Sequence, residues 1–161
     1  MKKWIVVMIL LLLTGCTPKA NFETVGDVYA PENLTPCDVT LTLPAEASVQ
    51  TITGEGGRLY LCDGYSVTVQ TLIGGDLEKT IEEVTGFSPQ RLTLLETEKE
   101  GLRLCRCVWT SAGEGGDQIA QTLILNDGNF HYAVTAMAPS EKAAALSNTW
   151  QEIFRSVKLV N

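Results

Sequence analysis

Five cysteines, a single histidine and a set of carboxylates near turns are the residues of this 161-residue chain whose types could do chemistry. Cys37, Cys62, Cys105 and Cys107 lie in the body of the chain. Cys105 and Cys107 stand two apart in a segment with a strand pattern, so both thiols leave the same face. Their Cα atoms would lie about 6.7 Å apart with parallel Cβ vectors, at the far limit for a bridge. Disulfides that pair each of them with Cys37 or Cys62 are therefore expected. Buried thiols and a four-cysteine metal site are the alternatives, but such a site is usually built from two close pairs on loops, and only Cys105 and Cys107 are close. His131 is the only histidine, so a Ser-His-Asp or Cys-His mechanism would have to use it. Flanked by Phe130 and Tyr132, it reads as an ordinary strand residue. Glu55, Asp63, Asp76, Glu114, Asp117 and Asp127 could bind calcium or form the acid and base of a hydrolase. They lack EF-hand spacing, and turns favour Asp for backbone reasons alone. With no phosphate loop and no Gly-x-Ser-x-Gly elbow, no catalytic residue, no metal site and no cofactor is expected.

Cys16 has a different setting. Lys2 and Lys3 precede a run of ten apolar residues from Trp4 to Leu13, followed by Thr14-Gly15-Cys16. As a helix the run would span about 15 Å, half of a bilayer core, which marks a signal-peptide core and not a membrane span. The sequence Leu13-Thr14-Gly15-Cys16 resembles the lipobox of bacterial lipoproteins. That resemblance implies a diacylglyceryl group on the Cys16 thiol, cleavage before it, and an extracytoplasmic location on a membrane. Two acyl chains suffice for stable anchoring where one does not. Without Lys2 and Lys3, ten basic residues face nineteen acidic ones, a formal charge of −9. Such a surface is repelled by anionic headgroups, so the lipid must carry the attachment. The same balance argues against nucleic acid as a partner, because phosphate contacts need clustered Lys and Arg.

The elements that would position these residues follow from pattern. Residues 1–15 read as the signal peptide and 16–36 as the lipidated N-terminus and a tether containing Pro18, Pro31 and Pro36. Residues 37–161 read as one domain. Val39 to Leu43 alternates apolar and polar residues, and Val49 to Thr53 is a weaker strand. Leu59 to Cys62 and Tyr65 to Leu72 flank Asp63-Gly64, a strong hairpin signal. Asp76 is a helix N-cap, Leu77, Ile81 and Val84 form one stripe, and Gly86 is a stop. Four strands follow at about 91–97, 102–110, 118–125 and 130–137, joined by tight glycine-bearing turns as an antiparallel meander. The tetrapeptide Gly-Glu-Gly-Gly at 54–57 and 113–116 reads as turn chemistry both times. Ser140 is predicted to cap a last helix with Ala143, Leu146, Trp150, Ile153 and Phe154 on its apolar face. This order predicts an α+β fold, a mostly antiparallel β-sheet covered by two α-helices.

The short helix ending in Thr85-Gly86, the meander with Asp127-Gly128 just before Tyr132, and the last helix with Trp150 and Ser156 together resemble the PsbP-like superfamily over residues 37–160. The resemblance implies a sheet sandwiched by helices and a non-catalytic accessory or binding role. It supplies no catalytic residue. The leading expectation is a membrane-anchored binding or accessory module of the cell envelope, acting on an envelope protein or a small ligand. Two other classes stand beside it: a hydrolase using turn carboxylates such as Glu55, Glu114 and Asp117, and a structural component self-associating through a sheet edge. Tyr60, Tyr65, Trp109, Phe130 and Tyr132 would form a ligand platform only if several shared an exposed face. Core packing is the plainer reading.

Overall fold

The computed structural model describes residues 34–52, 57–113 and 116–160. Cys16, the signal segment, most of the tether, Thr53, Glu55 and Glu114 lie outside the described residues. The elements, in chain order, are β1 (Asp38–Thr40), β2 (Ser48–Ile52), β3 (Gly57–Cys62), β4 (Tyr65–Ile73), α1 (Leu77–Thr85), a 3-10 turn (Pro89–Arg91), β5 (Leu94–Lys99), β6 (Leu102–Gly113), β7 (Gly116–Asn126), β8 (Phe130–Pro139), α2 (Ser140–Ser156) and β9 (Lys158–Val160). The fold is α+β. Seven strands form one antiparallel sheet in the order β2-β3-β4-β8-β7-β6-β5. The expected meander is β5 to β8. The first hairpin joins the other side of β8 through β4, so β8 sits in the middle and is buried along most of its length.

Alternation along the strands sorts the core into two layers. Tyr65, Val67, Val69, Leu123, Leu125, Tyr132, Val134 and Ala136 face α2, whose Ala143, Trp150, Ile153 and Phe154 lie buried against them. Trp150 is 2% exposed. The opposite face carries Cys105, Ile124 and Ala133 under Ile81 of α1. The two helices therefore cover opposite faces of the sheet.

Local chemistry sets the ends of α1. The Asp76 carboxylate accepts the Glu78 N–H at 3.0 Å. Gly86 has φ +74°, a conformation that side chains with a Cβ resist, and its N–H closes on Glu82 O. Gly74 lets β4 end against β8: its N–H donates to Asn129 O at 2.7 Å, and any Cβ there would collide with the Asn129 backbone.

Several expectations need correction. Ser140 is the first helical residue and not the cap, because β8 runs through Pro139 straight into α2 and no side chain caps it. The strand placed at about 91–97 begins at Leu94, since Pro89 starts a tight turn closed by Arg91 N–H to Ser88 O and Leu92 N–H to Pro89 O. The tail beyond α2, for which no element was expected, forms a strand. Lys158–Val160 pairs antiparallel with Asp38–Thr40, forming a separate two-stranded sheet. Ser156 strengthens this junction by accepting the Thr42 N–H at 2.8 Å and donating to Ile153 O at 2.7 Å.

Candidate functional site

Three coverings share the α2 side of the sheet unequally. The segment from Cys37 to Leu43 packs on the core near β3 and β4, with Arg58 of β3 donating to Val39 O at 2.9 Å. Helix α2 lies over β7 and β8. Over β6 and β5 on this face the cover is partial: Leu102 and Leu104 are half-buried against the core, while Leu95 and Val108 stay exposed. The result is a trough beside α2. Its upper part, about 610 Å³, is lined by Leu95, Arg106, Val108 and Gln121 from the sheet and by Gln151, Phe154 and Arg155 from α2. A lower part of about 580 Å³ shares Arg106, Phe154 and Arg155, and continues past Leu102, Leu104 and Leu125 to Lys158 and Leu159. Leu95 is 59% exposed and Val108 52%, which is unusual for aliphatic residues so close to a core. A concave, mostly apolar cleft with a few convergent charged groups is the usual form of a binding site.

The charges follow from strand alternation. Arg106 pairs across the strands with Leu95 and Leu123, so its stem lies among aliphatic neighbours while its guanidinium is exposed. Arg155 reaches the same place from the last turn of α2. Arg103 lines a different cleft of about 350 Å³, with Glu96, Glu98 and Asn126, because strand residues three apart leave opposite faces. The sequence reading missed the joint cationic site because its second arginine comes from another element, 49 positions further on.

The thiols are buried or partly buried, although Cys107 borders the upper trough. Cys105 and Cys107 are buried on the α1 side, whereas Cys37 and Cys62 pack on the α2 side of the sheet. The structure carries no disulfide among the described residues. The expected bridges from Cys105 or Cys107 to Cys37 or Cys62 would have to pass through the sheet, so that connectivity is corrected. Burial, then the neighbouring Cys105, pushes the Cys107 thiol up to about 11. Burial and Glu96 also raise Cys105. Thiols held protonated in this way are poor nucleophiles and poor metal ligands.

His131 is fully buried under α1, and its Nδ1 shares a 2.6 Å hydrogen bond with Thr80 Oγ1. Burial lowers its pKa against the opposing pull of Asp127 and Asp76. It fastens α1 to β8 and faces away from the trough. On the same face Trp109 Nε1 donates to Thr122 Oγ1 at 2.9 Å, and Thr122 meets Thr135 at 2.9 Å. The Phe87 ring meets Trp109 at a tilt of 56°, and Arg91 lies over Phe87.

The described carboxylates are scattered. Asp63 is in the β3–β4 turn, Asp76 caps α1, and Asp117 is exposed near the start of β7. Asp127 organises the β7–β8 turn, accepting from Asn129 N, Phe130 N and the Tyr132 hydroxyl at 2.7–2.8 Å. Burial pushes its carboxyl up, but these hydrogen bonds prevail and hold it below the ordinary range. Tyr132 in turn accepts the Cys37 N–H at 3.0 Å, so the turn also fixes the start of the domain. No cluster of three His, Cys, Asp or Glu residues among the described residues could hold a metal ion. The strand aromatics are packing residues: Tyr65 and Tyr132 are buried, and Tyr60 and Phe130 pack beside them.

No protein-family model matches the chain, and no curated protein matches it in sequence. Solved structures do match. The solution structure of cyanobacterial PsbP from Synechocystis sp. PCC 6803 superposes with a TM-score of 0.56 at 8% identity, covering 84% of this chain and 98% of that one. A Bacteroides thetaiotaomicron protein gives 0.53 at 14% identity over 76% of this chain, and the chain spans only 45% of that protein's length. LpqN of Mycobacterium tuberculosis, described as involved in cell envelope biogenesis, gives 0.48 at 13% identity. At these identities the likeness is one of fold, and the fold is PsbP-like.

Proposed function

We propose that this chain is an extracytoplasmic lipoprotein, held on a membrane through acylated Cys16, whose domain is a non-enzymatic binding or accessory module of the cell envelope. The observation that carries the binding role is the open trough beside α2, with Leu95 and Val108 exposed on its floor and Arg106 and Arg155 at its rim. The potentially reactive groups support the same reading. The histidine and the two closely spaced cysteines are buried on the other face, and the described turn carboxylates are dispersed. The lipobox-like Leu13-Thr14-Gly15-Cys16 supports the anchor.

One experiment reads both parts. Cells producing the full chain with a photo-crosslinking residue at position 108, or at Glu83 on the exposed side of α1, are irradiated and fractionated. The chain is expected in the membrane fraction, with a discrete adduct from position 108 and none from position 83. Adding Cys16→Ala should release the chain from membranes. Unchanged retention would remove the anchor, and equal adducts from both positions would remove the trough as the working surface.

A further inference from the structure

We infer that the trough is the seat of an acidic amphipathic helix supplied by a partner protein, which docks beside α2 as a third helix of the sandwich; this deepens the binding reading above. The first argument is dimensional. The partly covered strip is two strands wide, about 10 Å, and parallel-packed helices sit 8–10 Å apart. From Leu102 to Val108 the strip is about 20 Å long, enough for a helix of roughly thirteen residues. A helix placed there would lie one helix-width from α2 and bury Leu95 and Val108, which are now mostly in water.

The second argument is charge. The whole chain carries −7, yet the charged groups lining the trough are Arg106, Arg155, Lys99 and Lys158 against Glu100 alone. Glu100 already lies 3.9 Å from Lys99. The acidic side chains of β5 cannot neutralise the arginines, because Glu96 and Glu98 pair with Cys105 and Arg103 and so point to the opposite face. The floor between the cations is aliphatic. An occupant must therefore present an apolar stripe flanked by carboxylates, which is the pattern of a helix with apolar residues at i, i+3, i+4 and i+7. A helix satisfies its own backbone groups, which suits the β6 side of the floor, where the strand is paired on both edges, while β5 is paired on its β6 edge alone.

The test uses the chain from residue 16 onward with Cys16→Ala, followed by backbone amide NMR. The probe is an alanine-based peptide of about 18 residues, long enough to be helical. It carries a leucine stripe flanked by glutamates, and a second version has lysines at those positions. The glutamate peptide should shift the signals of Leu95, Arg106, Val108 and Phe154, and should bind at least about tenfold tighter than the lysine peptide. In the double variant Arg106→Glu, Arg155→Glu the preference should invert. Three results would overturn the inference: trough signals indifferent to the glutamate peptide, a preference unmoved by the charge reversal, or trough signals that move on dilution, which marks a second copy as the occupant. Trough shifts with dodecanoate but not with the peptide would also overturn it in favour of a small anionic amphiphile. Membrane attachment is read separately through Cys16, so loss of the anchor would leave this outcome standing, and failure of the peptide would leave the anchor standing.

Discussion

On one face of the seven-stranded sheet, α1 is a nine-residue helix pinned by Ile81 and by one polar contact, Thr80 Oγ1 to the buried His131 Nδ1 at 2.6 Å. On the other, the seventeen-residue α2 is held by aliphatic and aromatic contact through Trp150, Ile153 and Phe154. The short helix relies on that hydrogen bond because its apolar stripe is small. The long helix does not, and can sit off-centre over β7 and β8, which leaves β6 and β5 only partly covered. The contrast separates a helix fixed by one specific polar contact from a helix fixed by packed area, with the larger cleft beside the second.

Breaking the larger contact should have the largest effect. Trp150→Ala empties a fully packed position and is expected to cost about 3–5 kcal/mol, read as a shift in the denaturant midpoint at unchanged slope. A cost below about 1 kcal/mol would mean that α2 is not fastened by its aromatic face.

The opposite face should be distinguished by pH. His131 has a lowered pKa in the native protein. Above about pH 6.5 it is neutral in both folded and unfolded chains and contributes nothing. As pH falls from there toward the native value, only the unfolded chain takes up the proton. Stability should therefore fall with a slope of at most about 1.4 kcal/mol per pH unit. Asp127, whose pKa is also lowered, acts at lower pH: its contribution is present above the ordinary carboxylate value and is lost only below it. Chemical denaturation between pH 7.5 and 5 should show the slope in the native sequence and its loss in His131→Asn. The same slope in both proteins would assign it to other groups.

The smallest effect belongs to the open strip. Leu95→Ser and Val108→Ser should each change stability by no more than about 0.5 kcal/mol, because neither side chain is packed. A loss above about 1 kcal/mol in thermal unfolding would show that the strip is core and that the asymmetry between faces is false.

What could be read from sequence divides along the same physical line. Asp76, Gly86 and Asp63-Gly64 act through their immediate neighbours, so the helix ends and the hairpin were legible. The alternation in β6 put Cys105 and Cys107 on one face, and Arg103 and Arg106 on opposite faces. It could not say which face Cys37 and Cys62 occupy, since Cys37 lies in a segment 68 positions before Cys105 that folds over the sheet, and Cys62 ends β3, 43 positions before it. The pairing of Lys158–Val160 with Asp38–Thr40 was hidden for the same reason: three residues carry too little pattern to announce a partner at the far end of the chain. The trough was the least legible feature. Trp150 and Phe154 announce that α2 has a buried side, but its lateral position over β7 and β8 is a property of the assembled layers.

The small β1–β9 sheet has a mechanical consequence. Tension applied to the chain upstream of residue 37 reaches the seven-stranded sheet through side chains of β3 and β8 and not along one of its strands. It enters at Cys37, whose N–H donates to Tyr132, and passes into three residue pairs with β9. Those few bonds would yield before the large sheet is strained. They would release the Cys37–Leu43 segment as slack while the strands that floor the trough keep their register, so the junction works as a fuse between a pulled leader and an undisturbed domain.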